Sequence, residues 1–361
     1  MAITVHPRLL EQLLEEESLL LLQVRSEEDP DLLARALTAA AGDIGAFDEG
    51  ERAPVPIPTP EGPMLLLDLA DTPVEELPAI PELVVLRLAE AGVRAAEVRV
   101  PPERIRELEA VEGWAPAARC WLRGHGTAAA LLDTAYAWLG ERAPAGVPWF
   151  QWSSGAMFPV TARQARPAAD SLLRAGYEAT LLAGDFRAGG RALSVLAPSF
   201  GDPARAALGV AGAGTDVPAE LHRARELVRA AAGELCWAGV GVEPDARDLL
   251  GVTWNDRTGA RRQDPRLVSD QLVPDGLWYQ LLTAGHLARL GGPPPGAVEL
   301  APGVFELTVG EAAQWLPGHP EQDRVRARAR ELLAACLVGP DELHALGARR
   351  LAELRGGSNG G

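Results

Sequence analysis

The chain has 361 residues, roughly two or three times a typical single domain, so more than one core is expected. At 47% hydrophobic, 23% charged and 5% aromatic it has ordinary globular composition, not that of a fibrous or disordered chain. All 34 basic residues are Arg, which excludes a Schiff-base lysine, a Walker-A phosphate lysine and a Ser–Lys dyad.

The first third alternates strands and helices. A short amphipathic helix at 7–17 precedes SLLLLQVR (18–25), a continuous apolar run that reads as a buried strand. Asp29-Pro30-Asp31 opens a helix over DLLARALTAAAG, since proline suits a first helical turn. Strands follow around 44–57 and at PMLLLDLA (63–70). A helix at PELVVLRLAEAG (81–92) and a strand at RAAEVRV (94–100) complete the series. The order β-α-β-β-α-β is the ferredoxin-like split arrangement. PPERIRELEAVEG (101–113) reads as a polar exit helix.

The middle begins with strand ARCWL and a turn at Gly124-His125-Gly126, then a helix from Thr127 to Gly140. Trp149-Phe150-Gln151-Trp152 is strand-like. PVTARQARPAADSLLRAG is helical, and YEATLLAGDF with RALSVLAP suggests a hairpin about Gly189-Gly190. The last part predicts strand 207–214, helix 218–233 and strand ELCWAGVGV. DGLWYQLLTAGHLARLGG reads as a helix stopped by two glycines; a hairpin AVELAPGVFELTVG and a helix PEQDRVRARARELLAACLV follow.

The expected fold class is therefore α+β. An acidic ferredoxin-like (βαββαβ) N-terminal domain, 1–113, precedes a larger α/β layered domain, 114–350, divisible near residue 215. A disordered tail is expected over 351–361.

Charge is distributed unevenly. Residues 1–113 hold 24 acids and 9 Arg, net −15; residues 114–361 hold 26 acids and 25 Arg, net −1. Such a field repels nucleic acid and anionic lipid and favours a protein partner with a basic surface, although solubility alone also accounts for it. The N-terminal segment is acidic before its Leu run and lacks a cleavage site, so no signal peptide is expected. The longest uncharged stretch, 143–162, holds three prolines, which argues against a membrane span. Cys120, Cys236 and Cys336 are far apart among apolar neighbours, the pattern of buried reduced thiols in a cytoplasmic protein rather than of a zinc site.

No motif fixes a reaction. The six His residues have neither an HExxH pattern nor an i+4 His partner, and no paired-carboxylate signature stands out. The run Arg324, Arg326, Arg328, Arg330 divides at helical spacing into two i,i+4 pairs, the pattern of a solvated helix. Nine of the eighteen aromatic residues are Trp. Trp149, Trp152, Trp278 and Tyr279 are candidate exposed anchors for a partner, weighed against Trp's ordinary role as core filler.

Two resemblances bear on function. From about 126 to 337 the order of features resembles immunity proteins of type VI secretion effector–immunity pairs. It runs from LLDTAYAWLG and WFQW through YEATLLAGDF…RALSVLAP, ELVRAAAGELCWAGVGV and LWYQLLTAGHLARLGG to FELTVG…RARARELLAACL. That resemblance implies a protein that blocks a partner toxin and needs neither catalytic residues nor a cofactor. The stretch Arg123-Gly124-His125-Gly126-Thr127-Ala128, with LLRAGYEA (172–179), resembles the Arg-x-x-Gly-x-Ala turn of GNAT-type acyltransferases. There Arg123, Gly124, Gly126 and Ala128 would hold the pyrophosphate of acetyl-CoA at a helix N-terminus. The interval from Arg123 to Gly176 is long for that family and its first strands are missing upstream, so a generic Gly-containing turn competes with this second reading.

Overall fold

The structure is a computed structural model and describes residues 2–14, 19–47, 54–69, 76–101, 116–124, 128–143, 145, 149–153, 156–174, 179–184, 192–197, 205–212, 214–243 and 271–338. It is a mixed α+β protein whose strands fall into two sheets. Two compact units are present. One is Met1–Glu112, Tyr136–Ala188 and Val195–Gly201; the other is Gly113–Ala135, Gly189–Ser194 and Asp202–Gly361.

The first unit opens with β1 (Ile3–Val5), α1 (Pro7–Leu14), β2 (Leu19–Arg25) and α2 (Pro30–Phe47). It continues with β3 (Val55–Ile57), β4 (Met64–Asp68), α3 (Ala79–Glu90) and β5 (Ala96–Arg99). The sheet order is β1-β5-β2-β4-β3. β1 runs parallel to β5, and every other pair is antiparallel, with Leu21 opposite Leu66 and Val24 opposite Val98. Leu20, Leu22 and Val24 of β2 join Leu65 and Leu67 of β4 against Leu33, Leu37 and Ile44 of α2 and Ile80, Val84 and Leu88 of α3. The alternate residues Leu21, Met64 and Leu66 are buried too. Both faces of β2 and β4 are thus covered, which is why these strands read as unbroken apolar runs.

β6 (Ala117–Gly124) belongs to the second unit, and α4 (Ala128–Arg142) follows it. The first unit then regains β7 (Trp149–Ser153), β8 (Ala156–Val160), α5 (Ala162–Arg174) and β9 (Ala179–Gly184), with antiparallel order β9-β7-β8. α5 buries Ala165, Ala168, Ala169 and Leu172, a stripe at helical spacing, and packs against β3 as well as β7 and β9.

After β10 (Ala192–Ala197) the second unit holds β11 (Arg205–Ala211), α6 (Val217–Ala230), β12 (Leu235–Glu243), β13 (Tyr279–Thr283) and α7 (Ala284–Leu290). It ends with β14 (Val298–Ala301), β15 (Val304–Thr308) and α8 (Gln322–Leu332). Its strands lie antiparallel in the order β14-β15-β13-β12-β6-β11. Helix α6 begins at Asp216, whose side chain accepts the Ala219 N–H at 3.1 Å, and buries Leu221, Ala224 and Val228.

Four sequence expectations are corrected. Residues 44–47 are the last turn of α2 rather than strand, because Ile44 continues the Leu33, Leu37, Ala40 stripe. Helix α4 passes through Gly140 to Arg142. A separate strand, β8, occupies Ala156–Val160 where the helix was expected to begin at 159. Tyr279–Thr283 is a strand, and only Ala284–Leu290 of that expected helix is helical. Residues 102–113 of the expected 101–113 exit helix, His125 and Gly126 of the expected Gly124-His125-Gly126 turn, the Gly189-Gly190 turn and the 351–361 tail lie outside the described residues.

Candidate functional site

The second unit's strands present two unlike faces. Across β6, β12 and β13 the alternation places Cys120, Val240 and Tyr279 on one side. There Glu306 of β15 stands near the Tyr279 phenol and pairs with the Arg229 guanidinium of α6 at 3.3 Å, so α6 covers this face. Burial and the neighbouring Glu306 carboxylate push the Tyr279 phenol far above its ordinary range.

The opposite face carries Arg119, Trp121 and Arg123 on β6, Trp237, Gly239, Gly241 and Glu243 on β12, and Gln280 on β13. Most of this polar face is buried. Arg119 and Glu243 are 2% and 6% exposed and approach to 3.6 Å, and the Arg119 guanidinium lies 5.3 Å from the Trp121 ring centroid. The Trp237 indole N–H donates to Gln280 Oε1 at 3.3 Å, and Gln280 Nε2 donates to the Asp275 carbonyl at 2.9 Å. Such a buried polar face holds together only when its members are hydrogen-bonded.

Glycine makes room for what lies over it. A Cβ on Gly239 would sit 2.4 Å from Leu277 Cδ1, and one on Gly241 would sit 3.0 Å from Leu277 Cδ2, so Leu277 lies directly on β12. Residues 271–277 are tied in turn to α8: Asp275 receives both arms of Arg330 at 2.7 Å each, and its Oδ1 also accepts the Gly276 N–H at 2.7 Å. The Arg run of α8 divides as its spacing predicts. Arg324 pairs with Glu321 and Arg328 with Glu331 at the surface, while Arg326 and Arg330 lie on the half-buried side.

The structure separates the residues offered as binding anchors. Trp278 and Tyr279 are 1% and 0% exposed, which corrects the expectation that they lie at the surface. Trp278 donates its indole N–H to the Gly310 carbonyl at 3.3 Å and meets the His222 ring edge-on at 5.0 Å. Trp149 on β7 is half-buried, with Val160 and Ala183 beside it; the Trp152 side chain lies outside the description. Of the residues offered for a pyrophosphate turn, Arg123 is buried in β6, and Gly124 is its last residue, opposite Leu235. Ala128 begins α4, and Gly126 lies outside the described residues.

Two of the three cysteines hold backbone. Cys236 Sγ–H donates to the Arg123 carbonyl at 3.4 Å and Cys336 Sγ–H to the His286 carbonyl at 3.3 Å. Burial raises the Cys120 thiol far above its ordinary value. His286 Nδ1 accepts the Thr283 N–H at 3.1 Å and closes a capping box at the start of α7. His6 and His319 likewise accept backbone N–H groups, from Arg8 and Glu321. Among the described residues no group of three or more His, Cys, Asp or Glu is placed to hold a metal ion. No described helix is long and apolar enough to cross a membrane.

The sequence reading missed the Arg119–Glu243–Gln280–Asp275–Arg330 group. Part of its signal is visible, since ARCWLRG and CWAGVGVE place bulky polar, Trp or Gly residues at every second position.

No family model matches this chain, and no curated protein does. One solved structure with a likeness is "Pseudomonas aeruginosa T6SS protein PA0821", at 11% identity and a TM-score of 0.36. The match covers 62% of this chain and 77% of that one. A likeness of that size fixes neither fold nor role.

Proposed function

We propose that this chain is a protein-binding module whose acidic first third meets a partner with a basic surface, and that it neutralises that partner as an immunity protein. The carrying observation is the net −15 of residues 1–113 against the near-neutral remainder. Described members of that charge, among them Glu11, Glu27, Asp31 and Glu82, are exposed and free to act at a distance. On this reading the protein works in the cytoplasm, with its three cysteines reduced and buried. Half-buried Trp149 is the anchor.

The reading includes a ferredoxin-like unit over 19–99. The antiparallel order β5-β2-β4-β3, with α2 between β2 and β3 and α3 between β4 and β5, supports it; β1 is an addition at the β5 edge.

The test is the salt dependence of association with a protein captured from the native host. Association is expected to slow on the order of tenfold between low and physiological salt. The combined variant Glu11→Gln, Glu27→Gln, Asp31→Asn, Glu82→Gln is expected to flatten that slope while leaving the fold intact. An unchanged slope in the variant would reduce the acidic third to a solubilising role. Deleting residues 1–113 is a poorer test, because it removes the β3 surface on which α5 packs.

A further inference from the structure

Of the four arginines on α8, three have their charge engaged. Arg324 pairs with Glu321, Arg328 with Glu331 at 2.7 Å, and Arg330 with Asp275. Arg326 stands one turn before Arg330 on the same half-buried side of the helix, and among the described residues it has no carboxylate within ion-pair distance. Among the described residues, the acids whose fields reach it are Asp275, Asp323 and Glu243. Asp275 already spends both oxygens on the Arg330 fork, and its Oδ1 holds the Gly276 N–H as well. Glu243 faces Arg119, and Asp323 is exposed to water.

A guanidinium left in that position carries an uncompensated cost. It is partly removed from water, a second cation lies one turn away, and its five donors form a planar fork suited to two adjacent oxygens. Burial, with Arg330 adding to it against the pull of Asp275, holds the Arg326 guanidinium below its ordinary value.

We propose that Arg326 binds a carboxylate supplied by a ligand or partner, with the Asp275–Arg330 pair fixing the helix that presents it. A singly charged carboxylate fits better than a phosphate dianion, because Asp275 and Glu243 stand close enough to repel a second negative charge. This inference is independent of the acidic first third, which faces charge of the opposite sign.

Thermal melts at constant ionic strength test it, with acetate and N-acetylglycine as probes and acetamide and inorganic phosphate as controls. Either carboxylate at tens of millimolar is expected to raise the Tm by about 2 °C or more, and acetamide not at all. A larger shift with N-acetylglycine assigns the site to a peptide carboxyl terminus; equal shifts assign it to a free carboxylic acid. The shift is expected to vanish in Arg326→Gln and to survive in Arg324→Gln. Without any probe, Arg326→Met is expected to melt at or above the Tm of the parent, because the charge it removes has no ion-pair partner among the described residues and its stem is kept. The proposal is overturned if neither carboxylate gives a shift, if phosphate or acetamide matches them, if the shift persists in Arg326→Gln, or if Arg326→Met alone lowers the Tm by several degrees.

Discussion

Arg87 on α3 forks onto Asp43 on α2, with Nε on one carboxylate oxygen and Nη2 on the other at 2.8 Å. The pair joins two helices 44 residues apart in sequence and stands at the rim of the core formed by Leu37, Ile44, Val84 and Leu88. Its side chains keep about a third of their exposure, so the pair is sensitive to salt as well as to pH.

The hydrogen bonds from Arg87 hold the Asp43 carboxyl below its ordinary value. A carboxylate with a lowered value in the folded state stabilises above the ordinary range and loses that contribution as pH falls through the lowered value. The stability gap between the parent and Asp43→Asn is therefore expected to be constant from about pH 7 to pH 5. It should shrink below about pH 4 and close in stronger acid. Urea melts across that range check it, and a gap that widens toward acid would contradict the assignment.

Gly276 has backbone on the far side of the space a side chain would need. A Cβ there would lie 2.6 Å from the Arg330 amide nitrogen and 2.8 Å from the Ala329 carbonyl carbon, both in α8. At Gly239 the obstacles are side-chain atoms only, the Trp237 ring and the end of the Leu277 side chain, and the Leu277 methyl can rotate aside. Gly276→Ala is expected to cost about 3 kcal/mol and to weaken the Asp275–Arg330 fork; Gly239→Ala is expected to cost less. Equilibrium unfolding of the two variants gives the order directly.

Much of the first unit was readable because local pattern and global position agree there. LLLLQVR and MLLLD are too continuous for a half-exposed strand, and the structure covers both of their faces. DGLWYQLLTAGHLARLGG, expected as one helix, is helical over Ala284–Leu290 but strand over Tyr279–Thr283, for a physical reason. A short apolar run is ambiguous between strand and helix, and the real helix start is marked by Thr283 with His286 in place of the usual Glu or Gln. The Asp275–Arg330 fork joins residues 55 apart, and nothing local in either segment points to the other. The same holds for Arg119 with Glu243, whose closeness follows only from the β6–β12 register.

All three cysteines are buried. A thiol reacts through its thiolate, and burial both shields Cys120 and raises its value far above the ordinary one. Cys236 and Cys336 are further held by carbonyl acceptors. An aromatic disulfide reagent at pH 8 is expected to label none of them quickly in the native protein and all three after denaturation. Fast labelling of Cys336 alone would show that its contact to His286 opens in solution.

Trp278 and Trp149 separate a structural tryptophan from an anchoring one. Trp278 is enclosed beside His222 and Tyr279 with its N–H satisfied, so truncation leaves a cavity and an orphaned Gly310 carbonyl. Trp278→Ala is expected to cost about 3–5 kcal/mol of folding stability. Trp278→Phe, which keeps most of the volume, is expected to lose less and to capture a partner as well as the parent does, per folded molecule. Trp149 stands half-buried on β7 and has less packing to lose. Trp149→Ala is expected to shift the unfolding midpoint little and to weaken capture by more than about 2 kcal/mol. Binding measured on samples matched for folded fraction decides the matter: weakening confined to Trp149→Ala places the anchor on β7, whereas equal capture by both variants removes Trp149 and Trp278 from the interface.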